Sequence, residues 1–477
     1  MRRNAPGIHA MSLTKVACAL VVAATLSGCT TSSLVRTEEA REASRSSLPE
    51  LPQAFATAQQ NIGDVNVSWL EKLNDPLLTK LVIEAQQNNP NLQVLAANIE
   101  ASRALADQAG ASLSPTVGAG ISTGIGGNIS DSAVSKINVG LEASWELDLW
   151  GRIRSGELAS EENLASVEAD YLFAQYSLAA NVARAYFLAI EANQLELIAN
   201  STIGVLEETH RIVTVQVENG IGDQGDLSLV KTDRANAQDS LVSSKAAQRS
   251  ASRSLELLLG RYPSAELTVD SLLPIVPASP PAGLPSELLE RRPDLVAAER
   301  RIAAAFNQID AAKAAKLPAL SLSGTLGGAS NALSNILNPV NLAWQAASSL
   351  MAPLIDGGAL DAQVDIRTAE QEAAVANYAQ AALNAFNDVE TSLDASQVVE
   401  QRKEALTVAL DESKRALRIA DLQYKEGEIG LLDVLLIQQR VFAAQRNYAS
   451  INRSALIQYI DLNLALGGGW EPPAAGD

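Results

Sequence analysis

Apolar residues recur at spacings of three and four over long tracts of this chain. Leu164, Val167, Tyr171, Ala174, Leu178, Val182, Ala185 and Leu188 form one such row, and Leu406, Leu410, Ser413, Leu417, Ala420 and Tyr424 form another. This is the periodicity of helices that pack along one stripe. The first tract runs without proline from Arg152 to about Asn219. At about 1.5 Å per residue it predicts a rod on the order of 100 Å long. Such a rod has no use in a globular domain and is expected to pack along its length against similar rods.

Between the helical tracts the period changes to two. Val117, Ala119, Ile121 and Ile125 alternate with Gly118, Gly120, Ser122 and Gly124, and Val139, Leu141, Ala143, Trp145, Leu147 and Leu149 alternate with Gly140, Glu142, Ser144, Glu146 and Asp148. Further on, Leu320, Leu322 and Leu326 oppose Ser321, Ser323 and Thr325, and Leu342, Trp344 and Leu350 oppose Asn341, Gln345 and Ser349. Strands are expected at about 113–126, 137–149, 317–327 and 341–352. Alternation over roughly ten residues fits a transmembrane β-barrel strand and fits a half-buried soluble sheet equally well. Beyond residue 29 no run of 18 apolar residues could form a membrane-spanning helix. Four strands cannot close a barrel, and open edges are not tolerated in lipid. If these strands enter a membrane, several chains must share one barrel.

The pattern occurs twice. Asn89-Pro90-Asn91-Leu92 matches Arg292-Pro293-Asp294-Leu295 at an offset of 203, and Leu113-Ser114-Pro115 loosely matches Leu317-Pro318. Gly220 with Asp226 matches Gly427 with Asp433, and Leu259-Gly260 matches Leu466-Gly467, both at 207. A slowly drifting offset is what duplication with small insertions leaves. The Pro-rich stretch between the copies reads as a linker. The expected organisation is a signal at 1–28, a leash at 29–64, a first repeat at 65–273, a linker at 274–286, a second repeat at 287–467 and a tail at 468–477.

Each copy carries a helix-turn-helix tip. Gly220 and Gly427 suit the left-handed residue that ends a helix. Asp226 and Asp433 suit the N-cap or first turn of the next helix, where the dipole favours acids. Gly222, Gly225 and Gly430 also lie in the tips and permit close backbone approach.

The amino terminus adds a destination. Arg2 and Arg3, the apolar run Val16 to Leu26 and the small residues before Cys29 form a secretory signal, with Met11 a second possible start. Leu26-Ser27-Gly28-Cys29 resembles the bacterial lipobox. That resemblance implies cleavage after Gly28, S-diacylglycerol and an N-acyl chain on Cys29, and outer-membrane sorting given Thr30. Residues 30–60, rich in Ser, Thr, Glu, Arg and Pro, read as a solvated leash.

Composition mainly excludes. A formal charge of −19 argues against nucleic acid as a partner. Glu207-Glu208-Thr209-His210 has the spacing of a di-iron helix motif, but such sites need two, and His210 is the one histidine beyond the signal. Phosphate-loop, zinc and serine-nucleophile patterns are absent. No enzyme, metal or cofactor is expected, and transport energy must come from elsewhere.

Lipobox, duplication, long helices and paired strands together resemble the outer-membrane efflux proteins: the TolC-like and OprM-like ducts, and the NodT-type lipoproteins of tripartite RND systems. The sharpest local match is Trp145-Glu146-Leu147-Asp148-Leu149-Trp150-Gly151-Arg152, where strand hands over to long helix. The resemblance implies an α+β membrane protein: a homotrimer with a long-helix α-barrel and a shared twelve-stranded transmembrane β-barrel, four strands per chain. It implies a periplasmic adaptor as partner, docking on an inner-membrane transporter. It places Asp226, Asp433 and Tyr424 at a gate, and makes the tip glycines the adaptor contact. Leu436 and Ile429 depart from the acid and the arginine of some relatives, so the closing network must differ. A duct for protein secretion and a non-pore envelope scaffold are the competing expectations.

Overall fold

The computed structural model describes residues 32–57, 69–126, 134–330, 336 and 338–468. The signal segment, Cys29 and the tail beyond 468 lie outside the described residues. The described chain forms two contact units, one from residues up to 49, 98–168 and 297–380, the other from 50–97, 169–296 and 381 onward.

The first unit holds one antiparallel sheet, β1 (Thr116–Gly126), β2 (Val134–Leu147), β3 (Ala319–Ser330) and β4 (Leu342–Met351), in that spatial order. The two repeats therefore meet at the β2–β3 pairing, and β1 and β4 are its edges. Helical segments from α4 (Pro90–Ala111), α5 (Arg152–Glu218), α8 (Pro293–Ala314) and α9 (Ala359–Lys425) complete it. Alanine-rich faces close around Ile153, Ile302, Ile309 and Tyr378, all buried. Arg300 to Glu162 at 3.2 Å tethers α8 to α5.

Helix α1 (Ser32–Ser46) also belongs to this unit. Here the structure departs from the expected leash. The segment buries little beyond Ala40 and Ser44, so its composition reads as solvated. Its order comes from charge: Arg36 grips Asp310 through two nitrogens at 2.7 and 3.0 Å, and Arg41 reaches Glu299 at 3.2 Å.

The second unit packs α2 (Trp69–Lys72), α3 (Pro76–Asn88), α6 (Gln224–Leu258), α7 (Pro285–Arg291) and α10 (Leu431–Ala465) against the remainder of α5 and α9. Helices α5 and α9 contain 67 residues each, and α6 and α10 contain 35 each, a second sign of duplication. The core gathers Trp69, Leu78, Leu81, Tyr186, Phe187, Ile190, Leu255, Leu259, Leu456 and Ile460. Burial drives the Tyr186 hydroxyl strongly upward in pKa and pushes Tyr459 up to about 12, so both remain neutral.

The repeat landmarks have matching work here. Gly260 (φ 73°) and Gly467 (φ 75°) end α6 and α10 in left-handed conformation. Gly260 lies against the backbone of Asn88, and Gly467 against that of Arg291, so closely that an added Cβ would sit 2.5 and 3.2 Å away. Asn89 then donates to Leu258 O at 2.9 Å, and Arg292 donates to Ala465 O at 3.4 Å. Each copy thus ties the end of its short hairpin helix to the turn before its Pro-started helix.

Candidate functional site

Two places can carry a channel function: the helical tips and the two faces of the sheet. At the first tip the Gly220 N–H donates to Val217 O (3.0 Å) and Ile221 N–H to Gln216 O (2.9 Å). At the second, Gly427 N–H donates to Tyr424 O (3.0 Å) and Glu428 N–H to Gln423 O (2.9 Å). These are paired glycine caps at the sequence offset. Both aspartates are first-turn acids rather than N-caps. Asp433 accepts from Gly430 N at 3.3 Å, while in the first copy the N-cap is Asp223, which accepts from Gly225 N at 2.5 Å. Asp223 went unnoticed because its repeat equivalent is Gly430, which has no side chain.

The structure brings the two tips together. Leu206, Val213, Leu227, Val230, Ala237, Leu431 and Leu435 form one apolar cluster, and Tyr424 packs half-buried against it. Asp433 is exposed, as are its neighbours Leu432 and Leu436. Among the tip glycines, Gly222 has an internal reason to be small, since a Cβ there would meet Val217 N at 2.8 Å. Gly220 and Gly427 have open space around that position.

The sheet separates its chemistry by face. Register places Ala119, Leu141, Leu326 and Trp344 side by side, and likewise Leu147, Leu320 and Leu350. The opposite face carries Gly118, Glu142, Thr325 and Gln345 in one row and Ser144, Ser323 and Ala347 in another. The apolar face is bare: Ile121 is 71 % and Trp344 79 % exposed, and Val117 and Ile125 are also open. A continuous exposed apolar face needs a nonaqueous neighbour.

On the polar face, Gly140 and Gly327 stand opposite each other. A Cβ on Gly327 would lie 2.8 Å from Gly140 Cα, and one on Gly140 would lie 3.1 Å from Gly327 Cα. Backbones this close on one face mean that the sheet folds toward that face, so the polar side is concave.

The strand-to-helix handover resolves into caps. Asp148 accepts from Ile153 N (3.0 Å) and Arg154 N (2.8 Å), and Glu146 pairs with Arg152 at 2.9 Å. Trp145 and Trp150 use their indole N–H groups on Leu113 O and Pro318 O at 2.8 and 2.7 Å. Asp356 repeats the cap in the second copy, accepting from Gly358 N and Leu360 N at 3.0 and 2.8 Å. The sequence marks the first handover through its flanking tryptophans, which the second lacks, and it marks neither cap. Among the described residues no helix is long and apolar enough to cross a membrane.

The pattern of the outer membrane efflux protein family matches residues 81–261 and 284–468. The chain belongs to that family. It is similar to SepC, a probable efflux pump outer membrane protein of Pseudomonas putida, at 31 % identity over 441 residues, 88 % of this chain and 91 % of that one. It is 29 % identical to CusC, a cation efflux system protein of Escherichia coli O6:H1, across 88 % of this chain and 93 % of the other. The solved outer-membrane channel OprN superposes with a TM-score of 0.82 at 29 % identity, covering 89 % of this chain and 98 % of its own. The chain is therefore an outer-membrane efflux channel with the long-helix and β-barrel fold of its family, which favours that reading over the secretion duct and the scaffold.

Proposed function

We propose that three copies of this chain form the passive outer-membrane duct of a tripartite efflux pump. The observation that carries this is the sheet: four strands, two open edges, an apolar face left bare and a concave polar face. Open edges in lipid must be paired, and three such sheets joined edge to edge give twelve strands. Cys29 anchors the duct through its diacylglycerol and N-acyl chains, adding to the hold of the strands. The tips, with Gly220, Gly222, Gly225, Gly427 and Gly430, meet a periplasmic adaptor coupled to an RND-type inner-membrane transporter. Asp226, Asp433 and Tyr424 form the gate. No catalytic step and no cofactor belong to the chain. Domain limits follow the repeats, at 65–273 and 287–467.

Purified full-length protein should run as a heat-modifiable trimer and conduct in planar bilayers, and deletion of its gene should raise dye retention in cells. A monomer without conductance would exclude the duct. Unchanged retention of dyes and drugs, beside normal conductance, would exclude small-molecule efflux.

A further inference from the structure

The sheet has two edges with no neighbour in the chain, β1 on one side and β4 on the other. The internal repeat says what each edge lacks. Thr116 stands opposite Ser144 in the first hairpin, and Ala319 opposite Met351 in the second. The hairpins therefore superpose when β1 maps to β3 at an offset of 203 and β2 to β4 at 207. The landmarks before and after the strands carry the same two offsets. The helices that follow, starting at Arg152 and Ala359, also differ by 207.

On this map β4 stops three residues short. Pairing of β2 with β1 ends at Ser144, yet β2 runs on to Leu147. Its last three residues, Trp145, Glu146 and Leu147, pair only with Leu322, Ser321 and Leu320 of β3. Their equivalents after β4 are Ala352, Pro353 and Leu354, which lie outside any strand and are exposed, Leu354 to 90 %. What these residues lack is a partner like the one β3 gives β2.

We infer that β4 pairs with β1 of a second copy in the register of the β2–β3 seam, and that residues 352–354 join the strand when it does. This rests on the shared barrel proposed above and fixes which residues meet in it. The map sets Leu354 opposite Val117 of the partner subunit, Leu350 opposite Ile121 of the partner subunit and Ser349 opposite Ser122 of the partner subunit. Apolar residues thus meet apolar ones and polar meet polar. Val117, Ile121, Leu350 and Leu354, all bare in the single chain, gain neighbours on one face. A slip of one residue would turn each of them to the wrong face. One contact does not carry over. Trp150 Nε1 donates to Pro318 O across the seam within the chain at 2.7 Å, whereas its equivalent is Gly357. The seam between copies lacks that indole bond.

Cysteine pairs in the full-length protein test the register, with membranes oxidised and run on unreduced gels after boiling. Ser349→Cys with Ser122→Cys should give a covalent trimer that reductant dissolves, because every chain presents both edges. Either variant alone should give none. Ser349→Cys with Gly120→Cys or with Gly124→Cys places the sulfurs on diagonal neighbours, about 7–8 Å apart and beyond ordinary disulfide reach. These pairs should link at least about tenfold less. Pro353→Cys with Gly118→Cys should link as the first pair does and so reads the three added residues. Gly118, Gly120 and Gly124 all have open space for a side chain. Glu142→Cys with Thr325→Cys, opposed within the chain, should link without joining copies and sets the yield expected of this face. Unboiled gels report separately whether the trimer forms. Trimers with no covalent product, or with stronger linking in a shifted pair, would overturn the register and leave the shared barrel standing. Linking at Ser349 and Ser122 but not at Pro353 and Gly118 would overturn the strand extension. A monomer would overturn both the register and the shared barrel.

Discussion

Glu256 shows how one side chain can hold a unit together. It sits buried near the end of α6, and its carboxylate accepts from the backbone N–H groups of Ala265, Glu266 and Leu267 at 2.7, 2.8 and 3.0 Å. Burial alone would raise its pKa, but the three donors outweigh it and hold the group below the ordinary glutamate value. A depressed folded pKa gives stability that is complete above the unfolded value of about 4.3 and lost as pH falls through the folded one. Glu256→Gln should thus flatten the acid limb of a thermal-unfolding profile and cost about 1–3 kcal/mol at neutral pH through unmet donors. Arg292 is a second such residue. At 6 % side-chain exposure it binds Asp294 at 2.8 Å and Asp388 at 3.1 Å and lies over the Phe173 ring. Arg292→Ala should cost about 1–3 kcal/mol, since the aspartates left behind, 26 % and 51 % exposed, stay partly hydrated, and circular dichroism melts would measure it. Neither role was legible in the sequence. The Arg-Pro step was visible as a repeat landmark, but apart from Asp294 the partners lie nine to 173 residues away and leave no mark on local pattern.

The elements divide into those whose period announces them and those whose partners create them. Strand alternation and the proline-free length of α5 follow from period alone, and the observed strands lie close to the expected stretches. Helix α1 did not show, because Arg36 and Arg41 read as solvated until Asp310 and Glu299 are placed beside them. The close approach of Gly140 and Gly327 was equally hidden: each looked like one more small residue on the polar side, and only register sets them opposite each other. Gly327→Val would place methyl groups where Gly140 Cα already lies within 2.8 Å of a Cβ. The expected result is loss of the heat-modifiable trimer with far-UV helicity retained, because only the sheet must open. Asp148→Ala and Asp356→Ala, which uncap the helices after β2 and β4, should each cost about 0.5–2 kcal/mol. Asp148 carries the larger effect if the adjoining Glu146–Arg152 pair loosens with it.

At the scale of the molecule, duplication gives each chain two tips with a shared base but unequal chemistry. The first tip carries acids at both 223 and 226, whereas the second has Gly430 and Asp433 at the matching positions. Asp433, exposed and flanked by exposed Leu432 and Leu436, is free to face an axis. Asp226, half-buried, sits beside the cap formed by Asp223. In a trimer the exposed acid recurs three times, and such a ring attracts cations and repels itself. If charge governs passage, Asp433→Asn, which keeps size and removes charge, should weaken cation preference and cation block in bilayers. That effect should be strong at about 0.01 M salt, where the screening length is near 30 Å, and largely gone at 1 M, where it is near 3 Å. If Asp433 instead closes the pore by size, Asp433→Ala should raise conductance at both salts while Asp433→Asn does not. Adding Asp226→Asn to Asp433→Asn should change little, since its carboxylate is less open to the bath. An equal contribution from Asp226 would show that the two tips line the constriction alike, and no effect of any variant would remove the gate from this end of the helices.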